Sequence, residues 1–320
     1  MSTYIGRRLL GLIPLLLGIS VISYAIMALA PGGVGSIFTH SARPMSAADL
    51  AIIQHQLGLD KPWYVQYFYW LHNLVVNRDL GFSFIDGRPV MAKILEKVPI
   101  TLQLISTSFI CTLLIAIPTA IYAATHKNSV IDYIATAIAF IGYGMPTFWL
   151  GIMMLEIFAV RLHWFPASGL SEMGSTGFNL GDRIRHLVLP VATLTFVSLA
   201  SWMRYQRASM LDVLGEDYIR TAAAKGLSPS VVVYKHALRN ALLPVITLIG
   251  LYLPALLTGA YFTEIVFSIP GMGYLGLNAI FERDYPTIMG ITLFSALLVV
   301  VGNLLADIGY AVADPRIRYD

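Results

Sequence analysis

The sequence predicts an all-α, polytopic membrane protein with six transmembrane helices and a large external loop after the first. Two observations predict it. Of 320 residues, 57% are hydrophobic and only 12% are charged, against roughly 25% charged in an ordinary soluble domain. Apolar runs long enough to cross about 30 Å of hydrocarbon recur along the chain between polar segments. The net charge of +3 gives no argument for nucleic acid. The one cysteine, Cys111, lies in an apolar run and excludes an intrachain disulfide framework.

The first run, Leu9–Ala30, follows Arg7-Arg8 and ends in Ala28-Leu29-Ala30, which mimics a signal-peptidase site. At about 22 residues it exceeds a signal h-region of about 7–15, so it reads as an uncleaved span. A polar insertion, 31–98, follows. Ser46-Ala-Ala-Asp49 opens a first helix there as a capping box. A second amphipathic segment starts near Pro62, with Trp63, Tyr67, Trp70, Leu71 and Leu74 at helical spacing. It reads as a helix lying in the membrane interface, where Trp and Tyr are favoured, or as a surface that meets an external partner.

The second run, Pro99–Ala124, carries no charge, and Pro118 is expected to kink it. Ile134–Val160, His186–Met203, Ala241–Thr263 and Thr287–Ala306 complete the six. Gly142, Gly144 and Pro146 are expected to loosen or kink the start of the third. Six spans put both termini on one side, and Lys and Arg choose it. With the termini in the cytosol, the inside positions hold Arg7, Arg8, Lys127, Arg204, Arg207, Arg220, Lys225, Lys235, Arg239, Arg316 and Arg318. The short outside loops hold Arg161, Arg183, Arg185 and Arg283. The domains are then 1–30, the N-terminus and first span; 31–98, the external loop; 99–310, a five-span core with a cytosolic loop over 204–240; and a cytosolic tail, 311–320.

That cytosolic loop holds the longest polar stretch of the second half. Glu216 and Asp217 sit at the start of a short helix, where negative charge favours the dipole. Tyr218–Lys225 is Ala-rich, with Lys225 in the last turn and Gly226 at the left-handed stop. Ser228-Pro229 restarts the chain as N-cap and first helical residue, and a second helix runs to about Asn240. The segment is an ordinary capped loop or a docking element for a cytosolic partner.

Other motifs exclude function classes. There is no G-x-x-x-x-G-K-[ST] to cradle ATP phosphates, no H-E-x-x-H, and no span pairing a Ser nucleophile with a His base. The seven histidines are scattered, which argues against a zinc site. Ile141-Gly142-Tyr143-Gly144 resembles part of a potassium filter, but Phe140 stands where Thr is needed. Glu156 is the one carboxylate deep in a run. It either reaches the outer interface beside Arg161 or lines a pathway, because a carboxylate in hydrocarbon must face protein or water. Tyr143 and Gln103 join it as candidate pathway residues. Glu264, Asn303 and Asp307 lie close enough to an interface for packing or capping.

The whole chain resembles the permease subunits of bacterial peptide-type ABC importers, most closely the dipeptide/oligopeptide B subunits. The resemblance rests on Arg7-Arg8-Leu9, Leu57-Gly58-Leu59-Asp60-Lys61-Pro62, Asp79-Leu80-Gly81, the stretch Tyr218–Ser228 and His236–Pro244. Glu264–Gly273, Arg283-Asp284-Tyr285-Pro286 and Asp314–Arg318 complete it in order. The cytosolic loop matches the importer EAA motif with Arg220-Thr221-Ala222 where Glu-Ala-Ala is usual, a departure that peptide-type permeases share.

The resemblance implies a type I ABC importer permease and a non-catalytic subunit that binds no cofactor, with ATP and Mg used by partner ATPases. It makes Glu216, Asp217, Tyr218, Arg220, Thr221, Ala222, Ala223, Ala224, Lys225 and Gly226 an ATPase-coupling helix. The implied partners are a second homologous permease in a heterodimer, two ABC ATPases, an extracytoplasmic substrate-binding protein, a peptide substrate and the lipid bilayer. Trp63, Tyr67 and Trp70 are candidate contacts for the binding protein. The implied location is the bacterial inner membrane. Nickel, glutathione or another small solute is the alternative cargo, and an ATP-independent carrier or channel the distant alternative.

Overall fold

The computed structural model describes residues 2–29, 55, 60–172, 174, 177–242 and 260–313. The capping box at Ser46–Asp49, nearly all of the expected fifth span and the tail from 314 lie outside the described residues. Among those described there is no strand, only an isolated antiparallel bridge between Phe82 and Pro89.

The helices are α1 (Ser2–Leu29), α2 (Trp63–Asn77), α3 (Val90–Thr125), α4 (Val130–Gly144) and α5 (Thr147–Met154), which continues as π-helical turns over Leu155–Arg161. Then come α6 (Leu180–Leu214), α7 (Asp217–Ala224) and α8, built from Pro229–Val231, a π-helical Val232–Ala237 and Leu238–Ala241. Residues 260–266 are helical. The last two are α9 (Met272–Phe281) and α10 (Tyr285–Ala313). Among the described residues, four helices have span-length apolar segments: Leu10–Leu29, Val90–Thr125, Leu180–Leu214 and Tyr285–Leu304. The bent pair α4–α5 makes five when counted as one. The helical run of α3 continues past Pro118, and it begins well before Pro99. Helix α6 likewise extends far beyond the expected His186–Met203 at both ends.

The third run departs most from expectation. A single span loosened or kinked at its start by Gly142, Gly144 and Pro146 was expected. Instead the chain breaks in the middle, and the two halves meet at 106°. The cause is local. Pro146 lacks an N–H and pushes the residue before it out of the helical region. Met145 is accordingly extended, with φ −92° and ψ 124°. Glycines let both halves close on their neighbours. A Cβ on Gly142 would meet the Phe196 carbonyl oxygen at 3.1 Å, and one on Gly151 would meet Val266 at 3.2 Å.

The chain divides into two compact units, 1–100 with 270–301, and 101–269 with 302–320. In the first, α1 and α2 pack through Tyr24, Met27 and Tyr67 against Tyr285 and Met289 of α10. Leu80, Val90 and Ile94 pack with Met272. A Cβ on Gly290 would clash with the Val90 side chain and sit 3.2 Å from Ile94, so α3 and α10 approach at a distance only glycine permits. Asp284, 1% exposed, fixes the loop before α3. It accepts hydrogen bonds from Ser83 Oγ (2.6 Å), the Phe84 N–H (3.0 Å) and Thr287 Oγ1 (2.6 Å), with Lys93 Nζ 3.7 Å away. Lys93 also pairs with Asp86 at 2.9 Å. Burial pulls the Asp86 carboxyl up, but bonds from Lys93, the Arg88 N–H and Ser83 outweigh it and hold the group down at about 2.

In the second unit, α4 and α6 bury Ala135, Ala139, Ala200, Trp202 and Met203 with Ala116 and Ala120 of α3. Arg207 Nε and Nη2 each donate at 2.7 Å to the two oxygens of Asp132, whose side chain is 4% exposed. Glu264 is wholly buried and accepts a hydrogen bond from Thr101 Oγ1.

Three substitutions test this packing. Gly290→Ala should lower stability by about 1–3 kcal/mol through overpacking. Gly11→Ala, where nothing lies within 4 Å, should be neutral or slightly stabilising. Thermal unfolding of the purified chain in detergent compares them. Asp284→Ala leaves Ser83 Oγ, the Phe84 N–H and Thr287 Oγ1 without their acceptor, and should cost about 1–3 kcal/mol. Protease cleavage confined to residues 78–89 would report that loss locally.

Candidate functional site

The segment after α6 is built on a helix that cannot stand alone. Helix α7 has eight residues, fewer than the roughly 12–15 that make even an Ala-rich helix marginal in water. Its N-cap, Glu216, is extended, and the Glu216 carbonyl accepts the Ile219 and Arg220 N–H groups. The Glu216 carboxylate makes no capping bond. Asp217 occupies the first turn, 3.4 Å from Arg220, with both exposed. Thr221 Oγ1 donates back to the Asp217 carbonyl. Gly226 stops the helix at φ +80°, its N–H on the Ala223 carbonyl. A residue with a Cβ would be strained there by roughly 1–2 kcal/mol.

Packing holds α7. Ile219 and Ala222, one turn apart, are buried with Met210 of α6, Ile121 and Ala124 of α3, and Val232, Ala237 and Ala241 of α8. Full burial of an Ile side chain is worth about 1.5–3 kcal/mol. Asn240 Nδ2 donates to the Tyr218 hydroxyl at 2.8 Å, and Ser209 Oγ donates to the Ala241 carbonyl at 2.9 Å. The expected Ser228-Pro229 restart is present as N-cap and first helical residue. The outward face of α7 carries Tyr218, Arg220, Thr221, Ala223, Ala224 and Lys225, all exposed. Two adjacent alanines flanked by charge and a phenol give a rigid knob that another surface can approach closely.

The pathway candidates stand apart. Arg161 Nε donates to Glu156 at 2.9 Å, and both side chains are well exposed. Tyr143 is 65% exposed, under the Arg204 guanidinium at 5.3 Å. Gln103, half-buried, accepts from Arg183 Nε and Nη2 at 3.1 and 2.8 Å. No hydrogen bond or ring contact joins the three to one another. Among the external-loop candidates, Tyr67 is 5% exposed, its hydroxyl 3.0 Å from Ser20 Oγ. Trp70 packs on Tyr24 and Tyr67. Of the three, only Trp63 is exposed, its ring edge-on to Tyr64 at 6.1 Å, and Phe68 and Tyr69 are also exposed on α2. The ion pair Asp132–Arg207 and the Asp284 clamp were not legible in the sequence. Their partners lie 75 and about 200 residues apart, and the only sequence signal was the motif around Asp284.

Comparison with known proteins places this geometry in a family. Residues 116–319 match the family model described as binding-protein-dependent transport system inner membrane component, and residues 1–105 match the N-terminal model of such membrane components. The chain is 46% identical over 320 residues to the oligopeptide transport system permease protein AppB of Bacillus subtilis, covering 100% of both. It is 38% identical to the dipeptide transport system permease protein DppB of Escherichia coli K12, covering 100% of this chain and 99% of the relative. A solved inward-facing structure of the MetNI methionine ABC transporter matches with TM-score 0.56 at 19% identity, covering 71% of this chain and 98% of that one. That likeness gives the fold, a type I ABC importer permease. With membrane-spanning helices and models matched along nearly its entire length, the chain belongs to the family of binding-protein-dependent transport system inner membrane components.

Proposed function

We propose that this chain is the permease half of an ATP-driven importer for di- or oligopeptides, coupled to its ATPases through α7. The observation that carries the coupling role is the division of α7 into a buried face, Ile219 and Ala222, and an open face centred on Ala223 and Ala224. The first ties α7 to α3, α6 and α8, and the second is free to enter a groove. The peptide cargo rests on full-length similarity to oligopeptide and dipeptide permeases.

In this reading ATP and Mg are bound by two partner ATPase subunits and no cofactor by this chain. A second, homologous permease completes the pore. An extracytoplasmic binding protein delivers the peptide, and both termini face the cytosol. ATP-driven closure of the ATPase pair moves α7, and its buried contacts pass the motion to α3, α6 and α8. The exposed aromatic side of α2 meets the binding protein, through Trp63 with Tyr64, Phe68 and Tyr69. Tyr67 and Trp70 act beneath it as packing.

Ala223→Asp adds a charge to the docking face, and Gly226→Pro removes the left-handed stop. Either should reduce uptake of a labelled dipeptide to background while membrane insertion stays normal, because a buried unpaired charge costs several kcal/mol. Normal uptake by both variants would refute the docking role. For the outer face, Trp63→Ala with Tyr64→Ala should raise the binding-protein concentration for half-maximal ATPase stimulation about tenfold, the loss of an aromatic hot spot. An unchanged concentration would move the contact elsewhere.

A further inference from the structure

Helix α6 changes character at one point. Its apolar run ends at Met203, and Arg204 and Arg207 follow. At that point α4 and α6 leave a cleft of about 240 Å³. Exposed Phe140, with the buried Ala139, Ala200 and Met203 at its base, forms the apolar wall, and Tyr143 and the two arginines form the polar one.

The two arginines differ. Arg207 is closed on Asp132 by two bonds of 2.7 Å. Arg204 has no carboxylate partner among the described residues. Its guanidinium rests over the rings of Tyr143 and Tyr205, at 5.3 and 5.5 Å from their centroids. Helical side chains lean toward the N-terminus of their helix. Arg204 therefore leans back along α6 toward the apolar run, and Tyr143 leans along α4 to meet it. The result is a cation with no carboxylate partner among the described residues, at the end of the apolar run of α6.

A free phosphate or a peptide carboxylate would satisfy Arg204 and leave the apolar wall without an occupant. A lipid with an anionic head satisfies both. Guanidinium and phosphate pair through two parallel bonds, an acyl chain covers apolar surface, and basic pockets between membrane helices favour anionic heads. We propose that the cleft between α4 and α6 holds an anionic phospholipid, its phosphate on Arg204 and an acyl chain along Phe140.

Native mass spectrometry of the full chain in detergent tests this with phosphatidylglycerol, phosphatidylcholine of matched chains, and glycerol 3-phosphate as the chainless probe. Wild type should retain phosphatidylglycerol in clear preference to the other two. Arg204→Gln should lower that retention about tenfold, the loss of a charge-assisted bond. Ala208→Glu, at another exposed position lining the cleft, should lower it in the same direction by repelling the phosphate. Equal retention by wild type and both variants would overturn the proposal. So would phosphatidylcholine bound as strongly as phosphatidylglycerol, or glycerol 3-phosphate bound as strongly as the lipid. None of these outcomes bears on peptide uptake, so the proposed function stands or falls separately.

Discussion

The burial of Ile219 and Ala222 is the contact on which the proposed mechanism depends. Eight residues cannot pay the cost of helix nucleation by themselves, so α7 exists because two side chains enter a cluster shared by α3, α6 and α8. The same burial leaves the opposite face exposed among the described residues. It also makes α7 mechanically continuous with two span-length helices, since a close-packed cluster transmits displacement rather than absorbing it. The Asn240–Tyr218 bond adds a second attachment, at the α8 side. Stability and coupling thus reside in the same contacts.

Elsewhere the fold follows from what hydrocarbon demands of a backbone and its polar groups. Every N–H and C=O must be satisfied within the protein, which favours long helices. Where α4 and α5 break, the exception is small, a Pro-directed kink beside glycines that bring both halves against their neighbours. Buried charge obeys the same rule. Asp132 is paired with Arg207, and Asp284 is surrounded by donors from Ser83, Phe84 and Thr287. Arg204 is exposed and has no carboxylate partner among the described residues, which is why the cleft beside it reads as a place for a ligand.

Much of this was legible in the sequence because the signals are local. Apolar runs gave the spans, and Glu216-Asp217, Gly226 and Ser228-Pro229 gave the start, stop and restart of the short helices. What was not legible depended on distant partners. Trp63, Tyr67 and Trp70 share helical spacing, yet Tyr67 and Trp70 turn inward because Ser20 and Tyr24 of α1 receive them. Pro146 marked a kink in the third run, but an apolar run gives no measure of its size, and the 106° break falls in the middle of the run. Glu156 showed its Arg161 neighbour at five residues' distance in the sequence, and the structure joins the two. Glu264 gave no hint of Thr101, 163 residues away.

The central claim is that the open face of α7 is covered by an ATPase subunit in the assembled transporter. The chain's single native cysteine, Cys111, makes a direct measurement practical. With Cys111→Ser and Ala223→Cys combined, the rate of labelling by a water-soluble maleimide can be compared in the isolated chain and in the complete transporter. The account predicts fast labelling of the isolated chain and strong protection on assembly. Equal rates in the two states would contradict it.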